Sequence, residues 1–218
     1  MFPRRPVIAG VALIVALLVG AFVFFRTRGD GSLFKEPEPP ARARVKFTLA
    51  RPVDPLDRPE AEQTAKQETE KIGTLLNRLY TLALLRPERW SGDEAQSAEQ
   101  DLGRFFTAEA RDSIPDNLEA LTLGRIAARL ERVDPTLQEG RISFTIEPDL
   151  TASLAVITVT VKATGKARES EDDPVEIVHE GTYWAVPEGN SYKILAYAVE
   201  QKADTPRKEA RAAFGAPK

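Results

Sequence analysis

The chain has 218 residues, 29% of them charged, with a net charge of -3, and no basic stripe of the kind a nucleic-acid binder carries. It contains no cysteine and one histidine, His179. Disulfides, thiolate metal sites, cysteine nucleophiles and zinc sites built on several histidines are therefore excluded, and neither a metal nor a cofactor is expected.

The first element is an unbroken run of apolar or small residues that starts at Val7 and ends at Phe25. As a helix it would span about 28 Å at 1.5 Å per residue, close to the hydrocarbon thickness of a bilayer, about 30 Å. Three readings compete: an uncleaved membrane anchor, a cleaved signal peptide and a buried core helix. A signal peptide has a shorter apolar stretch and a small-residue cleavage site, whereas this run ends in Phe22-Val23-Phe24-Phe25-Arg26. A core helix would be amphipathic, and this run is apolar all round. The anchor is preferred, with the bilayer as its partner. Arg4 and Arg5 precede it and Arg26 and Arg28 follow, so the charge rule for orientation is nearly balanced. The short N-terminal stub is the easier end to keep in the cytoplasm, which places the large domain outside the cytoplasm.

The expected organisation is an anchor over residues 1–28, a proline-rich stalk over 29–59, a domain over 60–201 and a loose tail over 202–218. Pro37, Pro39, Pro40, Pro52, Pro55 and Pro59 punctuate the stalk and favour extended chain. Val45-Lys46-Phe47-Thr48-Leu49 alternates and could form a short edge strand, although a solvated spacer is the preferred reading there.

Three helices come next. Asp57 and Glu60 have the spacing of a capping box, ahead of a stripe made by Ile72, Leu75, Leu76, Leu79, Leu82 and Ala83 that ends near Pro87. Ser91 and Glu94 suggest a second box, opening a helix with Ala95, Ala98, Leu102, Phe105 and Phe106 on one face. Thr107 would cap a third helix with Ala110, Ile114, Leu118, Leu121 and Leu123, stopped by Gly124. Trp90 is expected to fold onto the core, and Phe105 and Phe106 to lie in it.

The period then changes from helical to alternating. Residues 141–147, 153–162, 175–186 and 191–200 read as strands, with Ile157, Val159 and Val161 sharing a face. Residues 126–133 are ambiguous between helix and a first strand. Pro187-Glu188-Gly189-Asn190 is a hairpin turn signal. The acidic stretch Glu169, Glu171, Asp172 and Asp173 lacks the alternating ligands and glycine of a calcium loop and reads as a solvated hairpin tip. Helices followed by strands give an α+β fold, three helices on a curved antiparallel sheet of four to five strands.

This order resembles the nuclear transport factor 2-like fold, also called cystatin-like or SnoaL-like. The closing pair Glu180-Gly181-Thr182-Tyr183-Trp184-Ala185-Val186 and Ser191-Tyr192-Lys193-Ile194-Leu195-Ala196-Tyr197 looks like that family's final two strands. Joined to an anchor, such a domain is similar to two bacterial groups: the mammalian-cell-entry-associated membrane proteins of actinobacteria, and the anchored assembly subunit of type IV secretion systems. Both imply binding of protein partners rather than catalysis. The family also contains isomerases and dehydratases, which implies a pocket on the concave face of the sheet.

His179 is the acid/base candidate because its ordinary pKa lies nearest neutrality. It shares a strand face with Ile177, Gly181 and Tyr183. If that face is concave, His179 and Tyr183 are pocket neighbours; if Val178, Thr182 and Trp184 form the core, His179 is outside. Thr158, Thr160 and His179 are nearly all the polar groups the strands could offer such a pocket. No phosphate loop and no nucleophile elbow is present. The expected function is a membrane-anchored, non-enzymatic domain that binds protein partners, forms a homo-oligomer or supports assembly of an envelope complex. The alternative is a small-molecule-binding or isomerase-like domain.

Overall fold

A computed structural model describes residues 41–168 and 174–204. The 7–25 run, the stalk up to residue 40, the 169–173 stretch and the tail from residue 205 lie outside the described residues. Among the described residues, no helix is long and apolar enough to cross a membrane.

The first element among the described residues is strand β1, Lys46–Leu49, followed by helix α1, Pro59–Leu84. Helix α1 buries Ile72, Leu75, Leu76, Leu79, Tyr80, Ala83 and Leu84, one stripe at the helical period. The Asp57 capping box does not form. Arg58 holds the cap position without a side-chain capping bond, and Pro59 starts the helix. Asp57 has a left-handed backbone, φ 51°, and its carboxylate pairs with Arg51 instead. Asp54 organises the entry, accepting from the Leu56 and Arg58 backbone N–H groups at 3.0 and 2.8 Å.

Two short 3-10 turns follow, Pro87–Trp90 and Gly92–Glu94. Trp90 folds back onto α1 as expected and donates its indole N–H to the Leu82 carbonyl at 2.7 Å. That satisfies one of the orphan carbonyls of the last turn. Ser91 caps nothing; its hydroxyl donates to the Glu88 carbonyl, and helix α2 spans Ala95–Gly103. Thr107 does cap, accepting from the Ala110 N–H at 3.3 Å. The expected third helix is split into α3, Ala108–Arg111, and α4, Ile114–Leu121. Pro115 explains the break, since its ring would collide with the Arg111 carbonyl one turn back. Of the aromatic pair, Phe106 is buried and Phe105 half-buried.

A 3-10 turn over Gly124–Arg129 resolves the ambiguous stretch, and β2 begins immediately after it, Leu130–Ile146. Strands β3, Ala152–Ala167, β4, Val175–Glu188, and β5, Ser191–Asp204, complete a five-stranded sheet in the order β1-β2-β3-β4-β5. The fold is α+β. Strands β2 to β5 form an antiparallel meander, but β1 lies parallel to β2, so the sheet is mixed rather than antiparallel throughout. The β4–β5 turn is Gly189-Asn190, with Glu188 opposite Ser191 and Gly189 at φ 60°, where glycine is favoured.

Alternation sorts the sheet's side chains. Ile142, Phe144, Ile157, Val159, Val161, Ile177, Tyr183 and Ile194 are buried with the α1 stripe in one core. Burial of each large apolar side chain contributes about 1.5–3 kcal/mol.

The segment read as the end of a spacer is built into this core. Ala43 and Val45 are buried, and their N–H groups donate to Thr81 Oγ1 at 2.9 Å and Asn77 Oδ1 at 2.8 Å on α1. Phe47 lies against Gly140 of β2 and Gly73 of α1; a Cβ on Gly140 would meet the Phe47 ring at 2.7 Å. Gly140→Ala should therefore loosen β1 first, at a cost of about 1–3 kcal/mol. Hydrogen exchange checks this: the 46–50 amides should lose protection while those of β3 and β4 keep theirs.

Candidate functional site

Strand β4 turns Ile177, His179, Gly181, Tyr183 and Ala185 toward the helices and core. His179 and Tyr183 are therefore neighbours on the helix-covered face. His179 Nε2 lies 3.2 Å from the Tyr183 hydroxyl, and Tyr80 of α1 donates its hydroxyl to Tyr183 at 3.1 Å. The Tyr80 ring meets the imidazole edge-on, 5.3 Å between centroids and 81° between planes. Gly181 makes this possible. The Tyr183 ring lies back along the strand toward His179, and a Cβ on Gly181 would sit 2.6 Å from it.

The polar string extends one residue further. His179 is paired with Gln201 across β4 and β5, and Gln201 donates its amide to the Thr122 carbonyl at 2.7 Å. His179 Nδ1 and Gln201 Oε1 are both buried and complete no hydrogen bond. Because Tyr80 donates to Tyr183, the Tyr183 proton is available to Nε2, and the imidazole's own proton then belongs on Nδ1, the side of Gln201.

Burial pushes the His179 pKa down from 6.5 to about 4, opposed in part by the polar side chain of the neighbouring Gln201, so the ring is neutral at neutral pH. Burial likewise raises both tyrosines well above their ordinary value. No carboxylate takes part in these contacts. Tyr80, His179 and Tyr183 have 0% exposure. A void able to hold water beside them would leave accessible surface, so no solvent-filled pocket adjoins this string, and a substrate has no room there in this state.

Among the described residues, nothing covers the other face of the sheet. Thr158 and Thr160, expected to share a pocket with His179, point to this opposite side, as strand alternation requires of residues paired with Thr182 and Glu180. With Arg141, Thr182, Ala198 and Glu200 they line an open concavity of about 760 Å³. Toward the β4–β5 turn the same face is apolar, where Val156, Trp184 and Ala196 form one cross-strand row. Among the described residues, no group of three or more acids and histidines could hold a metal ion.

No protein-family model matches the chain, and no curated protein does. Among solved structures it is similar to a hexachlorocyclohexane dehydrochlorinase (LinA), with 8% identity and a TM-score of 0.39 over 68% of this chain and 93% of that one. It is also similar to a proposed scytalone dehydratase from Novosphingobium aromaticivorans, with 11% identity and a TM-score of 0.39 over 67% of this chain and 89% of that one.

Tyr80 and Gln201 were not legible as partners of His179. Tyr80 carries one signal, its place one turn after Leu76 on the α1 stripe. Gln201 carries none, because a regular hairpin from the Glu188–Ser191 pair would set Glu200 opposite His179. A bulge at Leu195 shifts the register by one, so Gln201 takes that place.

The buried histidine makes stability depend on pH. The folded chain keeps His179 neutral down to about pH 4, whereas the unfolded chain titrates near 6.5. Between these values the unfolded state binds more protons, so stability falls as pH drops from about 6.5 to about 4, by on the order of 3 kcal/mol. Urea unfolding across that interval checks it. His179→Leu should lose less stability than the wild type over the same range; equal losses would contradict a buried neutral imidazole.

Proposed function

We propose that this chain is a membrane-anchored, non-enzymatic domain of the nuclear transport factor 2-like type that binds protein partners or supports assembly of a cell-envelope complex. One observation carries the reading. The helix-covered side of the sheet, where chemistry would need room, is packed shut around Tyr80, His179 and Tyr183, while the opposite face is open among the described residues. A sheet face with polar rows, an exposed edge and a half-buried Trp184 suits contact with a protein surface, either a different chain or a second copy of this one. The 7–25 run is the anchor, and the domain lies on the extracytoplasmic side. The length and all-round apolarity of the run support the anchor, and the short N-terminal stub supports the orientation.

The test is site-specific photocross-linking in intact membranes. A photoreactive residue at Thr182, on the open face, should give discrete adducts, and one at Lys66, an exposed position on α1, should give none. Recovery of monomer alone from the Thr182 position would count against partner binding by this face. Alkaline carbonate extraction tests the anchor separately: the chain should stay with the membrane pellet.

A second reading, a small-molecule or isomerase-like domain, is favoured by the Tyr80–Tyr183–His179 string, which sets a neutral base beside two hydroxyls. It requires α1 to lift from the sheet. Small carbonyl compounds that shift the His179 ring resonances would support it, and unchanged resonances across such a series would retire it.

A further inference from the structure

We infer that a groove beside α1 binds a phosphate-bearing amphiphile. The groove, about 510 Å³, lies between α1, the segment ahead of β1 and the turn after the helix. Four arginines line it, Arg42, Arg78, Arg86 and Arg89, together with the apolar Leu82 and Phe105. It is separate from both the buried string and the open sheet face, and the inference does not rest on the partner-binding reading.

The charges there are only partly answered. Arg86 approaches Glu88 at 3.7 Å, and Arg89 approaches Glu94 at 3.3 Å and Asp101 at 2.9 Å. The contacts to Glu88 and Glu94 are made by the buried Nε–H groups, which are paired in charge but complete no hydrogen bond. Arg42 and Arg78 form no ion pair among the described residues; the Arg78 guanidinium sits 5.9 Å from the centre of the Phe105 ring. Part of this charge complements the negative end of the α1 dipole. That end does not account for Arg78, which lies nearly two turns inside the helix, nor for Arg42, which belongs to another segment.

The walls are fixed before any ligand arrives. Thr81 and Asn77 bind the Ala43 and Val45 N–H groups, which holds Arg42 alongside α1. Guanidinium groups pair with oxyanions through parallel N–H donors. A phosphate offers three oxygens and up to two charges to the four arginines that line the groove, where a carboxylate offers two oxygens and one charge. Leu82 and the exposed part of Phe105 give an attached apolar group a surface to cover. The ligand chemistry is therefore a phosphate ester with an apolar part, either a free ester or the headgroup of an anionic lipid.

The experiment uses the full chain in neutral detergent, titrated calorimetrically with dihexanoyl phosphatidic acid and, separately, with inorganic phosphate. The short-chain lipid should bind, and more tightly than phosphate. The Arg42→Gln/Arg78→Gln double variant should weaken it by about tenfold or more, with the melting temperature unchanged, since neither side chain anchors the fold. A double variant that binds as the wild type does, or a wild type that binds phosphatidic acid no better than chloride, overturns the inference. Nanodiscs then separate the sources. Competition by anionic but not neutral lipid discs assigns the groove to a headgroup; binding of the short-chain ester undiminished by either disc assigns it to a free ester.

Discussion

Helix α1 meets the sheet across an almost wholly apolar surface, and the few polar atoms trapped there have to answer one another. A hydroxyl left unpaired in such a place costs about 1–3 kcal/mol. Tyr80, Tyr183 and His179 meet this constraint by bonding in series, which also fixes where the helix sits along the strand. The arrangement requires Gly181, because any larger residue would occupy the path of the Tyr183 ring. It leaves the imidazole neutral and without a carboxylate. Burial pushes the His179 pKa away from neutrality and closes the ring off from solvent. In this state the residue type most suggestive of chemistry is packed between a helix and a sheet.

Much of the architecture could be read from period alone. The α1 stripe, the alternation of β3 with Ile157, Val159 and Val161, and the Gly189-Asn190 turn all appear where the pattern sets them, because each is decided by local spacing. The errors are also local in origin. Asp57 has the right identity and spacing for a capping box, but its left-handed backbone turns the carboxylate toward Arg51. Pro115 divides a helix whose apolar stripe runs on without a break. Lys46–Leu49 alternates over only four residues, too short a signal to outweigh the prolines around it, yet glycines at positions 73 and 140 leave a slot for Phe47 that no pattern in the strand itself reveals.

The site was less legible than the fold, and for a different reason. Strand alternation placed His179 beside Tyr183 but could not say which face the helices would cover. That depends on which of two apolar rows is more continuous. The row through Ile177, Tyr183 and Ala185 matches Ile157, Val159 and Ile194 on neighbouring strands, whereas the row through Val178 and Trp184 is interrupted by Glu180 and Thr182. The deciding information thus lies in the register between strands. A one-residue bulge at Leu195 was enough to hide Gln201.

The open face carries a constraint of its own. Glu180 faces Glu200, and Glu176 faces Asp204, so like charges stand directly opposite each other on β4 and β5. Such pairs oppose strand pairing. Lys202 lies between them, bonded to Glu200 at 2.9 Å, and its pKa is raised by that bond and by Glu180 and Asp204 nearby. Lys162 of β3, opposite Val178, is the second cation on this part of the face, and two lysines against four carboxylates are tolerable while water screens them but leave an excess of negative charge that becomes costly once the surface is covered. A partner laid over this end of the sheet would have to bring positive charge with it, whereas the end bearing Val156, Trp184 and Ala196 asks only for apolar contact. Such a face would discriminate by direction: a surface that is basic at one end and apolar at the other would fit it in one orientation, and the reverse orientation would strand carboxylates against apolar groups. Specificity of that kind comes from penalising wrong placements rather than from strengthening the right one.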